Sequence, residues 1–166
     1  MQDSLLTLIT AFNIIIAPEN RCSEYNVDDY DYNRWIESKI VQQQPLMSFY
    51  TGIIYESIHD TDIEHIVSRR EAHDSGLCSQ PKATRKKFAN DLLNLTLAAP
   101  RENRVYKRDK DASEWRPPLI ESHCWFSTTI LKVKRKYNLT VDKKEAKALF
   151  DMFKTCSQQS FDIKGN

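Results

Sequence analysis

With 166 residues, the chain is long enough for one domain around one hydrophobic core. Its 40% hydrophobic and 28% charged residues are ordinary for a soluble globular protein, and a formal net charge of +1 gives no whole-chain bias towards nucleic acid or membrane. Only three glycines occur, Gly52, Gly76 and Gly165, which excludes a glycine-rich phosphate loop of the P-loop or Rossmann kind.

Residues 4–17 form an apolar run, too short and too interrupted by Thr and Asn to span a bilayer. Ala17-Pro18 before the polar Glu19-Asn20-Arg21-Cys22 favours a leader over an amphipathic N-terminal helix, although the first four residues lack a signal's positive charge. The domain would then be 18–156, with 157–166 as a frayed tail. Residues 23–34, acidic and rich in tyrosine, read as a loop. Asn33 can cap a helix over Arg34 to Gln43 that ends before Pro45. The aromatic and β-branched Phe49 to Ile58 predicts a strand broken at Thr51-Gly52.

Asp62 to Val67 is a short apolar run that predicts a strand carrying Asp62, Glu64 and His65. A polar helical turn ending at Gly76 follows, carrying His73 and Asp74, which are expected to serve structure. Pro81 to Asn90 predicts a helix with proline in its first turn. Leu92 to Leu97 predicts a second strand, with Asn94 in it. Pro100 opens a helix that carries Asn103, Arg104 and Lys107, and Pro117-Pro118 breaks the chain. Ser122 to Tyr137 predicts another helix. Asp142 and Glu145 make a capping-box pattern before a last one.

Charge is unevenly spread. Residues 1–40 hold seven acids and three bases; 82–116 hold ten bases and five acids; 124–154 hold eight bases and three acids. The basic excess lies in and after the two predicted strands, as a phosphate-binding surface requires, although lysine-rich solvated helix faces give the same count.

The residues on these elements form a chemical kit. Pleating sends Ile63, His65 and Val67 to one side of the first strand and Asp62, Glu64 and Ile66 to the other. A carboxylate and a histidine leaving opposite faces can flank one phosphate without binding each other. Carboxylate and amide oxygens are hard ligands suited to Mg²⁺, which keeps most of its waters. A histidine is the side chain best placed to take a proton from water near neutral pH.

The ordered set Asp62–Val67, Glu71-Ala72-His73-Asp74-Ser75-Gly76, Asp91–Leu97, Asn103, Lys107, Lys110-Asp111 and Glu114-Trp115 resembles the HNH endonucleases, the ββα-metal nuclease class, and within it a bacterial subgroup often found with four scattered cysteines. The resemblance runs from about Thr61 to Trp115. It implies an α+β fold, a ββα-metal core over 61–115 wrapped by N- and C-terminal helices. It implies metal-dependent hydrolysis of DNA phosphodiesters with low sequence specificity; the competing class is a non-catalytic DNA-binding module of the same fold. His65 is then the general base and Asn94 the asparagine that holds the backbone orienting it. Glu64, where the family more often has Asp or His, and Asn103 are the metal ligands, with Asp62 set to hydrogen-bond a metal-bound water. Arg104, Lys107 and Lys110 are candidate phosphate contacts. The cofactor implied is one divalent cation, Mg²⁺ with Mn²⁺ or Ni²⁺ as alternatives. The partner implied is double-stranded DNA, met mainly through its backbone. Monomer and dimer are both open.

Cys22, Cys78, Cys124 and Cys156 contain no Cys-x-x-Cys pair, which disfavours a structural zinc. Two disulfides in a secreted or periplasmic protein suit an even count of scattered cysteines better than free thiols in the cytoplasm, and three pairings are open.

Overall fold

The apolar stripes of the first and last helices meet across one core. The computed structural model describes residues 2–156, with side chains from residue 7 onward; the expected frayed tail lies outside the described residues. Helix α1 (Gln2–Ala11) packs on α6 (Lys143–Phe153), which is paired with α5 (His123–Lys136). Leu8, Ile9, Phe126, Leu131, Leu149 and Met152 are buried between them. Both α1 and α5 end at an asparagine with φ of +54°, Asn13 and Asn138. Asparagine tolerates that left-handed turn better than most side chains, and it lets each chain reverse direction. The two returns then pair, with Ala17 N–H donating to the Val141 carbonyl (2.9 Å) and Val141 N–H to Ile15 (3.1 Å). Residues 2–16 here are a helix and a bridging stretch, with Leu8, Ile9 and Ile14 in the core. Among the described residues no helix is long and apolar enough to cross a membrane.

The sheet has two antiparallel strands, β1 (Asp62–His65) and β2 (Leu95–Ala98), paired Asp62 to Ala98 through His65 to Leu95. Ile63, Leu95 and Leu97 form a second small core with Ile36 and Ile40 of α2 (Ile36–Gln43). Two short helices, α3 (Arg69–Asp74) and α4 (Lys82–Ala89), connect the strands, and a π-helical segment, Glu102–Lys107, follows β2. Helix and a small sheet together make the expected α+β class. Ser68 caps α3 by accepting from Glu71 N–H at 3.0 Å, and Gly76 takes φ of +112° after it, a conformation costly for any residue with a Cβ.

Three expectations are corrected. Phe49 to Ile58 is not a strand: Gly52, at φ +74°, turns the chain, only Met47 and Ile54 pair, and Tyr50 is drawn into the core against Trp115 and Phe126. Tertiary burial of one large ring outweighs local β preference. The second strand starts at Leu95, because Asp91 accepts from Leu93 N–H (3.1 Å) and holds Leu92–Asn94 in a tight 3₁₀ turn. The capping box at α6 is half made. Asp142 accepts from Glu145 N–H at 2.8 Å, but the Glu145 side chain turns inward.

It turns inward to a buried triad. Lys134 Nζ lies 2.5 Å from both Glu71 Oε1 and Glu145 Oε2, and it also donates to the Thr140 carbonyl at 3.0 Å. All three side chains are buried. With both acids ionised, two carboxylates and one ammonium would leave a negative charge away from water. Burial pushes Glu145 from 4.5 to about 8, with Lys134 opposing and Glu71 adding to the rise. The native state therefore holds a proton that the unfolded chain releases between 4.5 and about 8, so this group's contribution to stability falls as pH rises through that window. Glu145→Gln is expected to remove that fall. Urea unfolding of wild type and variant at both ends of the window reads it, and an unchanged slope would contradict it.

All four cysteines are paired, Cys22 with Cys78 and Cys124 with Cys156. The first ties the tyrosine-rich loop to the turn after α3. The second ties the start of α5 to the end of α6. Asp29 of the same loop pairs with Lys82 and Arg85 of α4.

Candidate active site

β1, α3 and the π-helical segment converge on one cleft of about 360 Å³, lined by Glu64, His65, Asn103, Arg104 and further side chains named below. Asn94 sets the backbone that leaves β1. Its carbonyl accepts from Ile66 N–H (2.9 Å), its Oδ1 from Val67 N–H (2.8 Å), and its Nδ2 donates to the Val67 carbonyl (3.0 Å). The buried amide thus extends the ladder past His65 with all of these partners satisfied.

His65 is buried, and its Nε2 lies 2.9 Å from the Ala89 carbonyl. A carbonyl can only accept, so Nε2 carries the hydrogen and Nδ1 keeps a lone pair. Burial drives the imidazole down to about 3, with Arg69 and Lys107 pushing the same way against the Ala89 bond. The ring is neutral throughout the physiological range. Tyr32 stands edge-on to it, with ring centroids 5.3 Å apart.

Glu64 leaves the other side of the strand and is buried too. Lys107 Nζ lies 2.7 Å from Glu64 Oε1 and donates to the His65 carbonyl at 2.9 Å. The approach to Oε1 is an ion pair without hydrogen-bond geometry, and Oε1 has no hydrogen-bond partner. Burial raises the Glu64 carboxyl and Lys107 pulls it back, the first effect being larger. Tyr50, fully buried, also has an unpartnered hydroxyl, held well above the ordinary phenol range by burial and by Glu64.

The π-helical segment explains how Asn103 and Lys107 both reach β1. Its wider turn closes with Arg108 N–H donating to the Asn103 carbonyl at 2.9 Å. Such turns recur at functional sites. Asn103 Nδ2 lies 3.3 Å from Asp62 Oδ2 and 3.4 Å from the Ile63 carbonyl, which turns Oδ1 the opposite way. Asp62 is held in turn by both nitrogens of the Arg104 fork, at 2.7 and 2.6 Å. A carboxylate and an oriented amide oxygen are hard donors that suit a hydrated cation, which takes few protein ligands, although Oε1 of Glu64 is already ion-paired with Lys107. Among the described residues no group of three or more His, Cys, Asp or Glu has the arrangement of metal ligands, so a cation here would depend on an amide or on waters.

The expected phosphate contacts divide. Arg104 lines the cleft but is committed to Asp62. Lys110 does not line it, and its Nζ donates to the Tyr106 carbonyl at 2.9 Å. Lys107 is corrected: it is fully buried, and its charge serves Glu64 and β1 instead of a surface phosphate. The cleft's other cations are Arg69, Arg70 and Arg108, with Tyr25 and Tyr32 beside them. The sequence reading passed over these five. The available signal was proximity, since Arg69 and Arg70 open the helix that begins four residues after His65. His73 and Asp74 are structural, as expected. His73 meets the Tyr30 hydroxyl and the Ser23 carbonyl, each at 2.8 Å, and Asp74 accepts both nitrogens of the Arg21 fork.

Comparison with known proteins adds the family. No solved structure matches the chain. An uncharacterized secreted protein of Arthroderma benhamiae is 38% identical over 108 residues, covering 64% of this chain and 53% of that protein, so the chain spans about half the length of this relative. The family described as GmrSD restriction endonucleases, C-terminal domain, matches residues 19–152. That match takes in the loop, both strands, the cleft and α5 and α6, and the chain belongs to the GmrSD restriction endonuclease C-terminal-domain family.

Proposed function

We propose that the chain is a divalent-metal-dependent endonuclease of the HNH type that hydrolyses DNA backbone phosphodiesters from a ββα-metal core. The observation that carries this reading is the meeting, in one basic cleft, of a neutral histidine with a free Nδ1 lone pair, a buried carboxylate paired only with a buried lysine, and an oriented asparagine. Membership of a restriction-endonuclease family supports it.

Glu64 and Asn103 would hold one hydrated Mg²⁺, for which Mn²⁺ or Ni²⁺ could substitute, and Asp62 keeps the Asn103 amide turned towards it. When bound there, such a cation would supply charge stabilisation to the phosphate undergoing attack. His65 Nδ1 takes one proton from the attacking water, whose oxygen bonds to phosphorus as the bond to the 3′ oxygen breaks. The 3′ oxygen leaves with a proton drawn from solvent. The Ala89 carbonyl fixes the tautomer, and Asn94 fixes the strand end that aims the ring. Lys107 holds the carbonyl of the base and the carboxylate of the ligand with one ammonium. Backbone contacts from arginines favour low sequence specificity. Two disulfides, and the description of the fungal relative as secreted, support an extracellular setting.

Nicking of supercoiled plasmid by the purified chain tests this. Conversion to open circle with Mg²⁺ or Mn²⁺, stopped by EDTA, is expected. No conversion with either ion, alongside retention of the plasmid in a gel shift, would favour a non-catalytic DNA-binding module.

A further inference from the structure

Four arginines line the cleft, and they are not equivalent. Arg104 is bound to Asp62, and Arg70 lies 3.9 Å from Asp109. Arg108 is exposed and has no fixed partner among the described residues. Arg69 differs from all three. It is half-buried, its Nη1 donates to the Tyr30 carbonyl at 3.2 Å, and its guanidinium carbon sits 5.3 Å from the centre of the Tyr32 ring. Tyr32 itself stands edge-on against His65. A fixed row, Arg69–Tyr32–His65, thus holds a cation beside the histidine with no carboxylate bound to it.

This arrangement works against the chain unless an anion arrives. A guanidinium in a half-buried wall, held by a ring face and one carbonyl and bound to no carboxylate, lacks full hydration. Local conflicts of this kind collect at functional sites. The conflict disappears when a phosphodiester occupies the cleft: the guanidinium fork matches two phosphate oxygens, and it is held in place in advance by a ring and a carbonyl.

We propose, resting on the nuclease reading above, that Arg69 is a catalytic residue that grips the non-bridging oxygens of the scissile phosphate and stabilises the charge gained there as water adds. Tyr32 is its positioning residue: it holds the guanidinium through its ring face and does not touch substrate. Removing a preorganised donor of this type costs about 10²–10³-fold in kcat.

The test uses the whole chain and a short duplex carrying one cleavable linkage, either a natural phosphodiester or a methylphosphonate, whose non-bridging position is uncharged. Arg69→Met is expected to lower kcat about 10²-fold on the phosphodiester with little change in KM and an unchanged thermal midpoint. The penalty for the methylphosphonate should be large in wild type and much smaller in Arg69→Met, because the charge that the arginine reads is already gone. Tyr32→Phe keeps the ring and should behave as wild type; Tyr32→Leu should share the Arg69→Met pattern in weaker form. Equal kcat for wild type and Arg69→Met, or an unchanged methylphosphonate penalty, would overturn the role of Arg69. Absence of cleavage by wild type would instead remove the nuclease reading beneath it.

Discussion

Replacing His65 by alanine is expected to slow plasmid nicking by about 10²–10⁴-fold, the usual worth of a positioned general base. The loss should fall on kcat, because the ring is expected to act on water and makes no expected contact that holds DNA. The variant should still retain plasmid in a gel shift, since Arg69, Arg70, Arg104 and Arg108 remain in the cleft. It should also remain folded, because Asn94 holds the strand end through backbone groups that the substitution does not touch. A rate within about threefold of wild type would exclude His65 as the base.

The second large effect is on stability. Lys134→Met is expected to cost about 3–5 kcal/mol, because it leaves the Glu71 carboxylate buried without its counter-charge and Glu145 without its hydrogen-bond donor. In a chain of this size that corresponds to a fall in Tm of about 6–20 °C. The damage should reach the cleft, since Glu71 lies in α3 two residues after Arg69. Adding Glu71→Gln and Glu145→Gln to Lys134→Met should restore most of the lost stability, since a neutral buried trio carries no stranded charge. Melting the single, double and triple variants reads both statements. A single variant that melts with wild type would show that the ammonium carries no such weight.

The parts of the fold and site legible in the sequence are those whose chemistry sits on short regular segments. Asp62–Val67, Asn94 and Asn103 could be placed together because each lies on or beside a run with its own local signal, and the structure brings Glu64, His65 and Asn103 to one cleft, with Asn94 holding the strand end and Asp62 the Asn103 amide. Helices α3 and α4 were marked by Gly76 and Pro81, residues whose backbone habits are local. What was not legible depends on partners far along the chain. Lys107 read as a phosphate contact and Lys134 carried no signal of its own, because their acidic partners, Glu64 and Glu71, lie on other elements. Tyr25 and Tyr32 read as loop residues, since long-range ties such as the Cys22–Cys78 bond, the pairing of Asp29 with α4 and the His73 bonds to Ser23 and Tyr30 bring that loop to the cleft wall. Phe49–Ile58 read as a strand because propensity counts side chains without knowing that Tyr50 is claimed by the core. Disulfide formation could be expected from the cysteine count, whereas the pairing required the fold.

The most direct test of the proposed site is to locate a bound ion. Crystals of the wild-type chain soaked in Mn²⁺ should show one anomalous-scattering peak in this cleft, touching the carboxylate of Glu64 and Oδ1 of Asn103, and Asn103→Ala should lose it. A peak confined to another part of the surface, or none in the cleft at a Mn²⁺ concentration that supports nicking, would contradict the assignment of Glu64 and Asn103 as the metal ligands.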